Sequence, residues 1–92
     1  MNFEWDTRKA ESNFRKHGIS FTEAGTVFGD DLAATVPDPD HSDEEDRYIT
    51  IGWSDHGRLL MISHTDRGDK IWIINARELT PRERKTYEEE ND

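Results

Sequence analysis

The sequence predicts an α+β fold in which an antiparallel sheet of about four strands carries two N-terminal helices and one C-terminal helix. Two segments with the apolar spacing of helices come first, and three strand-like runs follow them, separated by the turn-like stretches "SDHG" and "DRGD". Short turns favour antiparallel neighbours, and helices packed on one face of such a sheet give an α+β design. We predict the order β-α-α-β-β-β-β-α within a single domain over residues 1–92.

The first elements are a short strand and a capped helix. Residues 2–5, "NFEW", form an aromatic edge strand, and Asp6 is the predicted N-cap of a helix from about Thr7 to His17. Gly18 stands where a left-handed C-cap is needed. The residues predicted to share the packed face of this helix are Ala10, Asn13, Phe14 and His17.

The second helix begins in "SFTEA". Ser20 is its predicted N-cap, and Glu23, three residues later, completes a capping box. Gly29 closes the segment. The apolar face predicted for this helix consists of Phe21, Ala24, Val27 and Phe28.

The remaining strands are predicted from short apolar or alternating runs. Residues 32–36, "LAATV", form a strand that Pro37 ends, and a polar, acidic loop occupies residues 37–46. Residues 47–54, 58–65 and 70–77 form a meander.

The C-terminal helix is predicted from its start signal. Thr80 is the N-cap, Pro81 occupies the first helical position and Glu83 completes a second capping box, so the helix runs to about Glu89.

The formal net charge of −9 is concentrated in two blocks. Residues 38–46, "DPDHSDEED", hold six acids, and residues 88–92, "EEEND", hold four. Removing these ten from the 21 acids leaves 11 acids against 12 bases. The rest of the chain is therefore nearly neutral and can present a local basic surface to an anionic partner.

Composition also excludes several classes of protein. The chain has no cysteine, so disulfides and thiolate chemistry are impossible. No segment reads as a membrane span or as a secretory signal, and we expect a soluble, cytoplasmic protein. "DPDHSD" resembles the start of a calcium loop, but Asp43 and Ile49 replace the required Gly and Glu. No metal and no cofactor is expected.

Three groups of residues together resemble the BrnT family, the toxin halves of bacterial type II toxin–antitoxin pairs. The first is WD-x-x-KA-x-x-N-x-x-KHGI from Trp5, the second is R-Y-x-x-x-G from Arg47 with the Gly57-Arg58 pair, and the third is AR-x-x-T-x-x-ER-x-x-Y from Ala76. The resemblance covers nearly the whole chain. It departs from the family at Trp72 and Asn75, where the family commonly has Arg and Ser.

The resemblance implies a RelE-like ribonuclease fold and a metal-independent endoribonuclease that cuts mRNA. It also implies tight binding to a small ribbon-helix-helix antitoxin. Operator DNA would be contacted only through that antitoxin, in a complex that represses its own operon. The departures at Trp72 and Asn75 leave a second hypothesis open, in which this chain is a weak or inactive module that binds the antitoxin and takes part in autorepression.

Metal-free RNA cleavage needs a base for the 2′-hydroxyl, an acid for the leaving 5′-oxygen, and cations for the phosphate. Arginine suits the last role because its planar fork grips two oxygens. If residues 58–65 pair with residues 70–77, Arg58 and Arg77 lie near the same end of the sheet, and we expect the acids to lie elsewhere. The candidate catalytic residues are Arg58, Arg77, His17 and Glu83.

Each candidate also has a purely structural explanation. Arg77 can form a salt bridge with Glu78 or Glu83, His17 can cap the first helix, and the capping box already accounts for Glu83. The candidate RNA-binding residues are Lys9, Lys16, Arg47, Arg82 and Tyr87, of which Arg47 can equally form a local ion pair and Tyr87 can pack in the core. Trp53 and Trp72 can be exposed stacking platforms, but the scarcity of apolar residues favours the core.

Overall fold

A computed structural model describes residues 1–90 of the chain, and its elements follow the predicted order. Within those residues no helix combines the length and the apolar character needed to cross a bilayer. The helices and strands are β1 (Asn2–Trp5), α1 (Thr7–His17), α2 (Phe21–Thr26), β2 (Ala34–Pro37), β3 (Arg47–Trp53), β4 (Leu59–Arg67), β5 (Lys70–Glu78) and α3 (Pro81–Glu90). Short 3₁₀ turns follow α2 (Val27–Gly29) and precede β3 (Pro39–His41).

The sheet has five strands in the order β1-β5-β4-β3-β2 and is mixed. Strands β2 to β5 are antiparallel neighbours, whereas β1 pairs in parallel with β5, from Asn2 opposite Lys70 to Trp5 opposite Ile73. The predicted α+β class is therefore confirmed, whereas the sheet has five strands instead of about four, and the parallel pairing of β1 makes it mixed instead of antiparallel. β2 also begins later than predicted and includes Pro37, which is tolerated because β2 is an edge strand.

The hydrophobic core lies between the sheet and the first two helices. The buried core residues are Ile19, Phe21, Ala24, Val27, Leu60, Ile62, Ile73 and Ala76. Ala10 of α1 and Phe28 after α2 pack against this cluster, as predicted. Phe14, also predicted for the packed face of α1, is instead 55% exposed.

The third helix contacts the opposite face of the sheet. Met61 and Arg77 are opposite each other in β4 and β5 and alternate with core residues, so they point away from the hydrophobic core. Glu83 of α3 binds Arg77, and the Arg84 guanidinium lies 5.0 Å from the ring centre of Trp53. The three helices therefore lie on both faces of the sheet, whereas the sequence predicted all of them on one face.

The predicted helix ends are largely confirmed. The Lys9 amide donates to Asp6 Oδ1, Gly18 has φ of 70°, and Thr80 and Glu83 exchange both bonds of a capping box. Ser20 accepts a hydrogen bond from the Glu23 amide. The Glu23 carboxylate, however, turns towards Arg58 rather than back to the start of α2.

Asn13 of α1 completes the edge of β5 beyond the end of β1. Its Nδ2 donates to Ala76 O at 2.9 Å and to Ile19 O at 3.0 Å, and the Ala76 amide donates to its Oδ1 at 3.0 Å. The side chain thus makes the two bonds that a neighbouring strand would make, and it holds α1 alongside β5.

Asn13→Ala is expected to lower the free energy of unfolding by about 2 to 3 kcal/mol, because it leaves buried backbone groups of Ala76 and Ile19 without partners. Denaturant unfolding measures the effect. Ser12→Ala, an exposed neighbour on the same helix, should stay within about 0.5 kcal/mol of wild type. Equal effects of the two substitutions would contradict this role of Asn13.

Candidate functional site

Arg77 is held by the first turn of α3. Its Nη1 donates to Glu83 Oε1 at 2.7 Å and its Nη2 donates to Oε2 at 2.9 Å. The Arg77 guanidinium, followed by the Thr80 amide, lowers the pKa of Glu83 to about 2, and Glu83 in turn raises the pKa of Arg77. The Arg77 guanidinium is thus oriented to bind two oxygen atoms at once, as it binds those of Glu83, and 36% of the Arg77 side chain is exposed.

A cleft of about 380 Å³ lies between α1 and the outer edge of β5, and we call it the α1–β5 cleft. Its lining residues are Lys9, Ser12, Asn13, Lys16 and His17 from α1, with Ile74, Asn75 and Arg77 from β5. Four of the nine candidate site residues therefore line one cleft: Lys9, Lys16, His17 and Arg77. The two lysines share it because they lie two helical turns apart on one stripe of α1.

The chemistry of this cleft suits an anion. Lys9, Lys16 and Arg77 supply cations from two elements, the lining residues include no acid, and the carboxylate nearest to Arg77 comes from α3. His17 is exposed at the end of α1. Imidazole is the side chain that most readily exchanges a proton near neutral pH.

Arg58 belongs to a second group of residues, centred on Glu23. The Glu23 side chain is only 1% exposed, and it accepts hydrogen bonds from Ser54 Oγ at 2.7 Å and Arg58 Nε at 2.9 Å. Arg58 Nη2 also bonds to Glu23, and it donates to Gly18 O at 3.3 Å. His56 Nδ1 lies 2.9 Å from Glu23 Oε1.

The charges of this group stabilise one another. Hydrogen bonding from Arg58, with further bonds from His56 and Ser54, lowers the pKa of Glu23 to about 2 despite its burial. Glu23 raises the pKa of both His56 and Arg58.

The structure places Arg58 and Arg77 at the same end of the β4–β5 pair but does not bring them together. Arg58 precedes Leu59, and Leu59 O bonds to the amide of Leu79, just beyond Arg77. Arg58 turns towards α2, whereas Arg77 turns towards α3. The expectation that acids lie away from both arginines was also wrong, since each is paired with a glutamate.

The other candidate RNA-binding residues lie outside the α1–β5 cleft. Arg82 is exposed on α3. Tyr87 is half-buried, its hydroxyl donates to Leu32 O at 3.4 Å, and burial raises its pKa. Arg47 is half-buried at the start of β3 and lines a second cleft.

This second cleft, of about 340 Å³, lies under the acidic loop, and we call it the loop cleft. The loop contributes His41, Asp43, Glu44 and Glu45, and the body contributes Lys9, Arg47, Thr65, Arg67, Trp72 and Ile74. Arg67 binds Glu45 through Nε at 2.9 Å and Nη2 at 2.6 Å. Because Lys9 and Ile74 line both clefts, the two adjoin along β5.

Sequence reasoning missed Glu23 and Arg67 as residues of these sites. Trp72, for which both a stacking role and a core position were considered, is half-buried and lines the loop cleft. The capping-box pattern hid Glu23, and Arg67 lies where the pattern "DRGD" indicates only a turn.

His64 is buried between Thr50 and Asp66, and burial lowers its pKa. Across residues 1–90, no group of three or more His, Asp or Glu side chains is arranged to hold a metal ion.

The family model for the ribonuclease toxin BrnT of type II toxin–antitoxin systems matches residues 5–83. The chain belongs to the BrnT family. Its fold is also similar to that of the Brucella abortus ribonuclease toxin BrnT, known from a crystal structure, with a TM-score of 0.69 and 20% identity over 87% of this chain and 97% of that one. No curated protein matches the sequence significantly.

Both departures from the BrnT pattern face the two clefts. Asn75, in the position of the usual Ser, lines the α1–β5 cleft, and Trp72, in the position of the usual Arg, lines the loop cleft. The substitutions therefore change the surface along β5 rather than the core.

Proposed function

We propose that this BrnT-family chain is an endoribonuclease that cuts single-stranded mRNA in the α1–β5 cleft without a metal ion. The observation that carries the proposal is the convergence of Lys9, Lys16, His17 and Arg77 on one cleft. A cationic cleft with an adjacent titratable group meets the requirements of cleavage by the 2′-hydroxyl of RNA.

In this mechanism the scissile phosphate binds to Arg77, with Lys16 and Lys9 on the flanking backbone. The 2′-oxygen loses its proton to a base, attacks phosphorus and forms a 2′,3′-cyclic phosphate, while the bond from phosphorus to the 5′-oxygen breaks. The departing 5′-oxygen takes a proton from an acid. The cations stabilise the additional negative charge that develops on the phosphate oxygens.

His17 is the proton-transfer residue that we assign to this cleft. Glu83 is a weak base while it is bound to Arg77, because its pKa is about 2. A phosphate bound to Arg77 would compete with Glu83 for the same fork and leave the carboxylate more basic. Arg58 enters the proposal as a positioning residue, because its bond to Gly18 O fixes the end of α1 beside His17.

We further propose that a small DNA-binding antitoxin of the ribbon-helix-helix type neutralises the chain. Operator DNA is then contacted only by the antitoxin. This part of the proposal rests on membership of a family of type II toxins.

A second candidate function is that of an inactive toxin-like module that binds the antitoxin and supports autorepression. The observation that favours it is that Arg58 and Arg77 are each paired with a glutamate, together with the changes at Trp72 and Asn75. Growth arrest on induction of the chain alone, relieved by co-expression of the adjacent antitoxin gene, would exclude it.

We expect the purified protein to cleave single-stranded RNA in EDTA and to leave a 2′,3′-cyclic phosphate and a 5′-hydroxyl. A single 2′-deoxy nucleotide on the 5′ side of the cleaved bond should abolish cutting there, because it removes the nucleophile. Gel electrophoresis with end-group analysis measures both effects. Cleavage that requires added Mg²⁺, or that persists at the 2′-deoxy position, would contradict the mechanism.

A further inference from the structure

The loop cleft continues the α1–β5 cleft along the same face of the sheet. Lys9 lines both clefts, and Arg47, Arg67 and Trp72 extend the line of cations and apolar surface beyond it. A strand of RNA bound at Arg77 would therefore meet the loop cleft one or a few nucleotides away.

Trp72 and Arg67 form a stacked pair in this cleft. The Arg67 guanidinium carbon lies 4.5 Å from the centre of the Trp72 ring, and Trp72 is half-buried, whereas Arg67 is exposed. Indole rings and guanidinium planes are the surfaces on which single-stranded bases stack, irrespective of base identity.

In the structure, the carboxylate of Glu45 occupies the position beside the Arg67 guanidinium at which a phosphate of RNA would bind. Glu45 binds the Arg67 fork through both oxygens, and the charge of Arg47 acts on the same carboxylate; together they hold the pKa of Glu45 below its usual range. Glu45 is exposed, and this pair is solvent-accessible on both sides. A phosphate can replace such a carboxylate because both present two oxygens to the same fork.

We propose that the loop cleft is a nucleotide subsite, in which an RNA base stacks against Trp72 and the face of Arg67, while the adjoining phosphate binds the Arg67 fork in place of Glu45, with Arg47 and Lys9 beside it. Glu45 occupies this subsite until RNA displaces it. The inference rests on the proposed ribonuclease function and adds to it a binding position outside the α1–β5 cleft. It also gives a role to Trp72, which stands where the family commonly has Arg: an indole stacks on a base in place of a guanidinium.

The test measures binding without cleavage. A fluorescein-labelled 2′-O-methyl RNA oligonucleotide, which lacks the nucleophile, is titrated with wild type, Trp72→Ala and Arg67→Ala, and the dissociation constant is read by fluorescence anisotropy at several salt concentrations. We expect each substitution to weaken binding about 10-fold. Arg67→Ala should also reduce the salt slope by about one ion, and Glu45→Gln should tighten binding several-fold by releasing Arg67.

The matched controls are Trp53→Ala and Arg84→Ala, which break a second Arg–Trp contact, between β3 and α3. They should bind RNA like wild type. Trp72→Phe should retain most of the affinity, because it keeps an aromatic face. Arg67→Ala, which changes an exposed side chain, covers the case in which Trp72→Ala unfolds. If wild type binds RNA but Trp72→Ala and Arg67→Ala bind it equally well, or if Glu45→Gln weakens binding, the subsite is wrong and the proposed nuclease survives. If wild type does not bind RNA, the nuclease proposal itself fails.

Discussion

Replacing Arg77 with alanine is expected to reduce the rate of RNA cleavage by about 100- to 1,000-fold. Arg77 is the one arginine that lines the α1–β5 cleft within residues 1–90, and its fork is already held in place by Glu83. Loss of the guanidinium removes the group that meets the charge developing on the phosphate. The cleavage rate at saturating RNA is the appropriate measurement, because an effect confined to substrate affinity would indicate binding alone.

Two further variants separate charge from geometry. Arg77→Lys keeps the charge but loses the planar fork, so it should recover only part of the activity. Arg84→Ala removes an arginine of the neighbouring helix that lies over Trp53, and it should cut RNA at the wild-type rate. Wild-type cleavage by Arg77→Ala, with activity lost in His17→Ala, would mean that the phosphate binds elsewhere.

Replacing Glu23 with glutamine is expected to lower the free energy of unfolding by about 1.5 to 3 kcal/mol, the range for hydrogen bonds to a charged group. The substitution removes the buried carboxylate that binds Arg58, but 34% of the Arg58 side chain is exposed, so water compensates for part of the lost interaction. Chemical denaturation at neutral pH measures the loss. Glu45→Gln breaks a similar Arg–Glu fork that is exposed on both sides, so its effect on stability should be much smaller.

The pH dependence gives an independent check on Glu23. Its pKa is about 2 in the folded protein against an ordinary value of 4.5. A depressed pKa contributes stability that is fully present above pH 4.5 and is lost as the pH falls towards 2. The difference between wild type and Glu23→Gln should therefore shrink through this window, and a difference that stayed constant down to pH 2 would contradict the assignment.

Local signals in the sequence predicted most of the fold. Asp6, Gly18 and Thr80 mark helix ends through bonds to residues three or four positions away, so their pattern is readable in a single stretch of chain. The partner of β1 could not be predicted in this way, because the strand that it joins lies near the other end of the chain. The exposure of Phe14 was not predicted either. Helical spacing places Phe14 beside core residues, but α1 packs against the edge of β5 and not against a full layer of the sheet, so Phe14 remains exposed.

The candidate site could be predicted only in part, because local sequence signals place some of its residues and not others. Lys9, Lys16 and His17 converge because they share one helix, and the strand order brings Arg77 to their side. Glu23 was missed because its amide does make the predicted cap while its carboxylate bonds to residues far along the chain. The loop cleft requires the acidic loop to fold back onto β5, and no local pattern in residues 38–46 specifies that contact.

The pairing of β1 with β5 has a consequence for biosynthesis. In a nascent chain β1 and α1 emerge from the ribosome before β5, yet β1 depends on β5 for its parallel pairing, and the Asn13 side chain of α1 depends on it for its bonds to Ala76. Such contacts between distant segments form late and slowly. A chain interrupted before residue 70 therefore lacks the β5 wall of the α1–β5 cleft, so the RNA site that we propose can form only after β5 has been synthesised.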